Sequence, residues 1–106
     1  MDKNRITLSR AIEGYFVAAH ARRLSNHTLR DYDTTFRRFE AFLGRDPPMA
    51  EIGPAEVTAF LGSLDHLSAK TLLNYHTGLA ALWTWAVKEG LVKEHIVHRV
   101  DRPKPE

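Results

Sequence analysis

Apolar residues in this chain recur at steps of three and four in four separate stretches, and no stretch shows the one-in, one-out alternation of a half-buried strand. That spacing matches the 3.6-residue helical turn, so each stretch carries one oily stripe that another helix must cover. Leu8, Ile12, Tyr15, Phe16 and Ala19 form the first stripe, with Thr7 placed to cap it and Arg22 and Arg23 closing it at the dipole's negative end. Gly14 lies inside this helix, where glycine costs about 1 kcal/mol against alanine, and is expected to mark a close helix contact. The second stretch runs from Asn26 to Leu43 behind Ser25, with Leu29, Tyr32, Phe36, Phe39 and Leu43 as a narrow seam and Gly44 then Pro47-Pro48 ending it. Gly53-Pro54 with Glu56 opens a third helix whose stripe is Val57, Phe60, Leu61 and Leu64, expected to end near Asp65. Ser68 caps a fourth from Ala69 to Glu89, with Leu72, Tyr75, Leu79, Leu82 and Ala86 inward and Gly90 as the stop. Ile96, Val97 and Val100 allow one more helical turn. The fold class is therefore all-α, a compact bundle of four main helices with a short fifth helical turn. Residues 1–100 form one helical domain, and residues 101–106, with two prolines and no apolar side chain, have the composition of a linker.

A chain of 106 residues fits one such domain, and its core needs no disulfide, which the absence of cysteine rules out in any case. Met1-Asp2-Lys3-Asn4-Arg5 lacks the apolar core of a signal peptide, and no apolar run approaches the ~18 residues of a membrane span, so no membrane partner is expected and the cytoplasm fits the thiol-free composition. Net charge is +2, but its distribution is uneven. Residues 1–46 hold nine Lys/Arg against six Asp/Glu, residues 47–69 hold three acids and no Lys/Arg, and residues 70–106 hold six against four. Chance scatter accounts for such a layout as readily as a phosphate-facing side does.

Catalytic machinery is not legible. The six glycines are isolated, so no phosphate-cradling loop exists, and no serine sits in a strained G-x-S-x-G turn. His95-x-x-His98 has the spacing of two ligands on one helix face, but no third ligand is near in sequence, and a capping or solvated role is the better reading. Tyr15, Tyr32 and Tyr75 all fall on apolar stripes and read as core. No cofactor, no metal and no catalytic residue is therefore expected. Trp83 and Trp85, two apart, cannot both point into one core, so one of them is expected to be partly exposed.

Three blocks carry a family resemblance. Leu24-Ser-Asn-His-Thr-Leu-Arg-Asp-Tyr32, continuing to Phe36, Phe39 and Phe42-Leu43, resembles L-S-x-x-T-x-x-x-Y-x-x-x-L-x-x-F-x-x-F-L of the core-binding domain of tyrosine recombinases, the phage integrase and Xer class. Ser68-Ala-Lys-Thr71 with Asn74-Tyr75, Leu79, Leu82-Trp83 and Trp85-Ala-Val-Lys-Glu-Gly90 resembles its S-x-x-T-x-N block. Ile52, Gly53-Pro54-Ala-Glu56 and Phe60-Leu61 fill the place between them. Each block is degenerate, but their order and spacing agree over residues 8–104. The family often has Asn-Pro after the fourth helix, where this chain has Glu94-His95.

The resemblance implies a SAM-like bundle that grips duplex DNA at a recombination site through its second and fourth helices. It implies that strand cleavage belongs to a separate catalytic domain, and that the partners are double-stranded DNA, that catalytic domain and other recombinase protomers. Asn26, His27, Arg30, Thr34 and Arg37 on the second helix, and Lys70, Thr71, Asn74 and Thr77 on the fourth, are the candidate DNA-binding residues. Their donors suit phosphates and base edges. His76 and Arg38 flank them; Arg22, Arg23, Arg99, Arg102 and Lys104 are candidates for the DNA backbone. Asp31 and Asp33 are expected to pair with Arg37 or Arg38, and the acidic third segment (Glu51, Glu56, Asp65) to face away. A helical protein–protein interaction module with no nucleic-acid role remains the alternative, kept open by the tryptophan pair.

Overall fold

The computed structural model describes residues 3–104, Asn4 as backbone only. Four α-helices follow one another: α1 (Leu8–Ala21), α2 (Asn26–Leu43), α3 (Pro54–Gly62) and α4 (Ala69–Lys88). Short 3-10 turns lie at Lys3–Arg5, Met49–Glu51 and Ile96–Arg99. The helix starts follow from the caps. Thr7, Ser25 and Ser68 each accept a hydrogen bond from the backbone N–H three residues on, at 3.4, 3.1 and 3.2 Å. Gly53 has no side chain to cap with, so Glu56 reaches back instead and accepts from the Gly53 N–H at 3.2 Å. Three ends fall short of the sequence expectation, α4 by one residue, since it stops at Lys88 with Glu89 as its cap. α1 stops at Ala21, because Arg23 turns left-handed (φ 61°), and α3 stops at Gly62, because the backbone closes into turns from Ser63 onward. The fifth turn is present as 3-10 helix at Ile96–Arg99.

α2 packs against α4 more extensively than any other two elements do, and α1 covers both. The inward stripes named above are buried except at Phe16, Tyr32, Leu43, Leu64 and Leu72, which are half-buried, and they are joined by Ala11, Thr35, His76 and Gly78. Two aromatic groups fill the bundle. Tyr15 is the hub of the first, with Phe16, Tyr32, Phe36 and Trp85 at ring separations of 5.8, 6.2, 5.8 and 6.1 Å. Phe60 is the hub of the second, with Phe39, Phe42 and Tyr75 at 5.2, 5.6 and 6.2 Å. Of the two tryptophans, Trp83 is fully buried and Trp85 half-buried.

The N-terminal segment is pinned to the loop after α2. Leu8 N–H donates to Pro47 O and Met49 N–H to Ile6 O, both at 2.9 Å. Asp46 accepts from the Ser9 N–H (2.8 Å) and hydroxyl (2.5 Å) at the start of α1. Partial burial pushes the Asp46 carboxyl up, but these hydrogen bonds, with one from Thr7, outweigh it and hold the group below its ordinary value. From the same N-terminal segment, Lys3 Nζ donates to Glu89 O at 3.1 Å, the carbonyl of the residue that caps α4.

Gly14 and Gly78 are close approaches. A Cβ on Gly78 would lie 3.3 Å from both Thr35 Cγ2 and Tyr32 Cδ1, so α2 and α4 touch here almost backbone to side chain. A Cβ on Gly14 would lie 2.7 Å from Trp85 Cη2, closer than carbon atoms approach, so the indole lies directly on the glycine. Gly14→Ala gains about 1 kcal/mol of helix propensity but overpacks this contact, and a net loss of about 1–2 kcal/mol in urea unfolding is expected. An unchanged or raised midpoint would show that the Trp85 ring moves aside freely.

Candidate nucleic-acid interface

The outward side of α2 follows from its inward seam. With Leu29, Phe36 and Phe39 buried and Tyr32 half-buried, helical geometry turns Asn26, Arg30, Thr34 and Arg37 to solvent, and all four are exposed, as is His27. On α4, burial of Tyr75, Leu79 and Leu82 turns Lys70, Asn74 and Thr77 outward, again all exposed. Thr71 differs. It is half-buried and bound into the cap of α4, its hydroxyl 3.0 Å from that of Ser68.

His76 departs from expectation. It is buried, with its Nε2 donating to Val100 O at 3.1 Å, and so fastens the chain's exit to α4 rather than flanking an outer face. No periodicity argument distinguishes it from a surface histidine, because it borders the buried stripe and only the returning C-terminal segment covers it.

Charge on the outer side of α2 is partly spent internally. Arg37 Nε binds Asp33 at 2.8 Å, as expected, whereas Asp31 pairs with His27 at 3.3 Å instead of with an arginine. Both are exposed (i, i+4) contacts, and the Arg37–Asp33 pair is worth about 0.3–0.5 kcal/mol, weak enough for another ligand to displace. Arg30 and Lys70 have no ion-pair partner among the described residues. Arg30 rims an open cleft with His20, Asn26 and Asp33, floored by Phe16 and Leu29. Arg38, exposed on α2, lies over the Tyr75 ring at 5.9 Å to its centroid and so bridges the α2–α4 seam. Nothing in the sequence pointed to that contact, since it joins residues far apart in the chain.

The acidic third segment is divided. Glu56 is half-buried and held by Arg45 at 3.2 Å. Asp65, however, lines one groove with Lys70 and Lys104, so it does not face away from the polar side of α4.

The C-terminal histidines form a latch. His95 Nε2 lies 3.0 Å from Ala80 O and 3.1 Å from Thr84 Oγ1, while its Nδ1 accepts from the His98 N–H at 3.3 Å. A carbonyl only accepts and an amide N–H only donates, so Nε2 carries the hydrogen and Nδ1 is bare, which is the neutral ring. This is the capping role that the sequence favoured. The His95 and His98 rings stack at 3.5 Å and 4°, which turns their nitrogens along parallel planes rather than toward one shared point. Among the described residues, no group of three or more His, Asp or Glu could hold a metal ion. Burial, then the neighbouring His98, lowers the pKa of His95 below that of a free histidine. The folded chain therefore binds fewer protons at His95 than the unfolded chain does, and this contribution to stability is complete above pH about 6.5 and shrinks as pH falls below it. Thermal melts between about pH 7 and 5 should show a decline that is shallower in His95→Gln; equal slopes in both proteins would exclude the neutral latch.

Four helices with, among the described residues, no strand pairing beyond one isolated Thr7–Pro48 bridge, together with short 3-10 connectors and a SAM-like arrangement, define an all-α domain of the integrase N-terminal type. The family model for the phage integrase N-terminal SAM-like domain matches residues 12–90, and the chain belongs to that family. It is similar in fold to a lambda integrase dimer bound to a COC' core site (23% identity, TM-score 0.86, covering 98% of this chain and 30% of that one). Similar also are a lambda integrase tetramer bound to a Holliday junction (24%, 0.86, 97% and 31%) and the integrase from mycobacterium phage Brujita (23%, 0.80, 90% and 32%). The chain thus spans about a third of the length of these solved relatives. No curated protein matches it. The matched family model describes the N-terminal SAM-like domain of integrases, not a catalytic domain. No helix among the described residues is long and apolar enough to cross a membrane.

Proposed function

We propose that this chain is the core-binding domain of a site-specific tyrosine recombinase or integrase, and that it grips duplex DNA through the outer sides of α2 and α4. The observation that carries the reading is the set of exposed donors, Asn26, Arg30, Thr34, Lys70, Asn74 and Thr77, on two mutually packed helices in a chain of the integrase N-terminal family. Arg30 and Lys70 offer charge to phosphates; Asn26, Asn74 and the threonines offer the neutral donors and acceptors that read base edges. His27, Arg37 and Thr71 join them once their internal partners give way. Residues 1–100 are assigned to this module, and residues 101–106 to the start of the linker toward a catalytic domain that performs strand cleavage. Pro105 and Glu106, like Met1 and Asp2, lie outside the described residues. No catalytic residue, cofactor or metal is assigned to the module. Neighbouring recombinase protomers on the same DNA are the further partners, and the cytoplasm is the compartment.

Such a half-clamp neutralises few phosphates, so its binding is expected to be weak and steep in salt. Titration with duplex DNA at about 50 and 200 mM salt measures this. Arg30→Ala should weaken binding roughly fivefold and flatten the dependence of log K on log salt by about 0.9. Asp33→Asn should strengthen binding, because it removes a carboxylate from the face and releases Arg37. No detectable affinity at low salt, or indifference to Arg30→Ala and Lys70→Ala together, would sink the reading. The half-buried Trp85 and the exposed Val17 (73% accessible) favour a second reading, a protein-docking module; concentration-dependent self-association without DNA affinity would be its mark.

A further inference from the structure

α1 and α4 end by the same closure. After α4, Gly90 takes φ 78°; its N–H donates to Val87 O at 3.1 Å and the next N–H, of Leu91, to Ala86 O at 2.9 Å. After α1, Arg23 takes φ 61°; its N–H donates to His20 O at 3.0 Å and the next N–H, of Leu24, to Ala19 O at 3.2 Å. Both are the six-to-one, five-to-two closure whose left-handed residue is ordinarily glycine, because a Cβ there crowds the following carbonyl. Arg23 is the one non-glycine residue with positive φ among those described.

Nothing among the described residues accounts for an arginine in that position. Its side chain is exposed and makes no ion pair or hydrogen bond to another described residue. Arg22 beside it is likewise exposed and without an ion-pair partner among the described residues, so the two like charges stand next to each other. The α2 carboxylates that follow in the chain, Asp31 and Asp33, are engaged by His27 and Arg37. The turn leads through Leu24 and Ser25 directly into Asn26 at the start of α2, and His20 of α1 shares a cleft with Asn26 and Arg30. This end of the molecule therefore gathers Arg22, Arg23 and Arg30 beside the outer side of α2, with Asp33, held by Arg37, in the cleft and Glu89 in the groove next to Arg22.

We infer that Arg23 is a phosphate-binding residue whose guanidinium takes a DNA backbone phosphate beside the α2 face, and that arginine is kept at a glycine position for this contact at some loss of stability. Guanidinium suits the task, since its fork of N–H donors binds a phosphate bidentately without base preference. The inference rests on the DNA-binding reading above and adds to it a site outside both helices.

Three variants test it: Arg23→Gly, Arg23→Gln and Arg23→Lys, each compared by thermal melting and by titration with one duplex DNA at two salt concentrations. Arg23→Gly should raise Tm by about 3–6 °C. It should also weaken binding at low salt roughly fivefold and flatten the salt dependence by about 0.9. Arg23→Gln, which keeps the Cβ and loses the charge, should weaken binding equally with Tm unchanged. Arg23→Lys should keep the wild-type salt dependence. If Arg23→Gly and Arg23→Gln bind like the wild type while Arg30→Ala weakens binding, this inference fails and the DNA-binding reading stands. If the wild type binds no DNA at low salt, both fail. A Tm that stays level or falls in Arg23→Gly overturns the trade of stability for contact.

Discussion

The contact of α2 with α4 at Gly78 sets the geometry of the rest. With no Cβ at Gly78, Thr35 and Tyr32 come to van der Waals distance of the α4 backbone. Thr35 can be buried there because its hydroxyl donates back to Asp31 O at 3.1 Å, which leaves only its methyl group to face the glycine. Tyr32 then meets Tyr15 of α1, and Tyr15 meets Trp85, whose indole lies on Gly14. Each small residue makes room for a large one on the facing helix, so one arrangement of three helices fits well and shifted ones collide. Because α2 and α4 cannot rotate about their axes without breaking this fit, the direction of their outer side chains is fixed as well.

Electrostatics on the outer side work by competition rather than by bulk charge. A net charge of +2 is a weak attractor, and two of the carboxylates on α2 are spent on His27 and Arg37. Exposed (i, i+4) pairs of this kind are weak, so they orient side chains in the free domain while leaving them open to a stronger anion. Arg38 is held differently, over the Tyr75 ring, where its charge adds to the α2–α4 seam without a carboxylate being consumed. Asp65, beside Lys70 and Lys104, sets a limit on how far the positive region extends past the start of α4.

The C-terminal exit is fastened by two histidines. His76 holds Val100, and neutral His95 ties the last 3-10 turn to α4 through Ala80 and Thr84. Ile96, Val97 and Val100 are buried beneath that latch. Residues Asp101–Lys104 therefore leave the bundle from a fixed point although they form no regular structure themselves.

Much of this was legible in the sequence. The 3.6-residue stripes specify four helices, and Thr7, Ser25, Ser68 and Gly90 mark their ends, because caps and amphipathic faces are local properties decided within a few residues. Gly14 as a contact point and one tryptophan as the exposed one of a pair were also within reach of local reasoning. What the sequence could not specify is whatever depends on residues brought together from afar. His76 looks like a flanking surface histidine until Val100 returns to cover it; Arg38 looks free until Tyr75 lies beneath it; Asp65 looks turned away until Lys104 returns to share its groove with Lys70. Arg23 reads as a helix-ending charge and a candidate for the DNA backbone, while the left-handed turn that makes it unusual is seen only in the folded backbone. The sequence by itself determined the helices and which side of each is oily. Only the tertiary structure decided which polar residues on the other sides remain free, since that depends on long-range packing and not on periodicity.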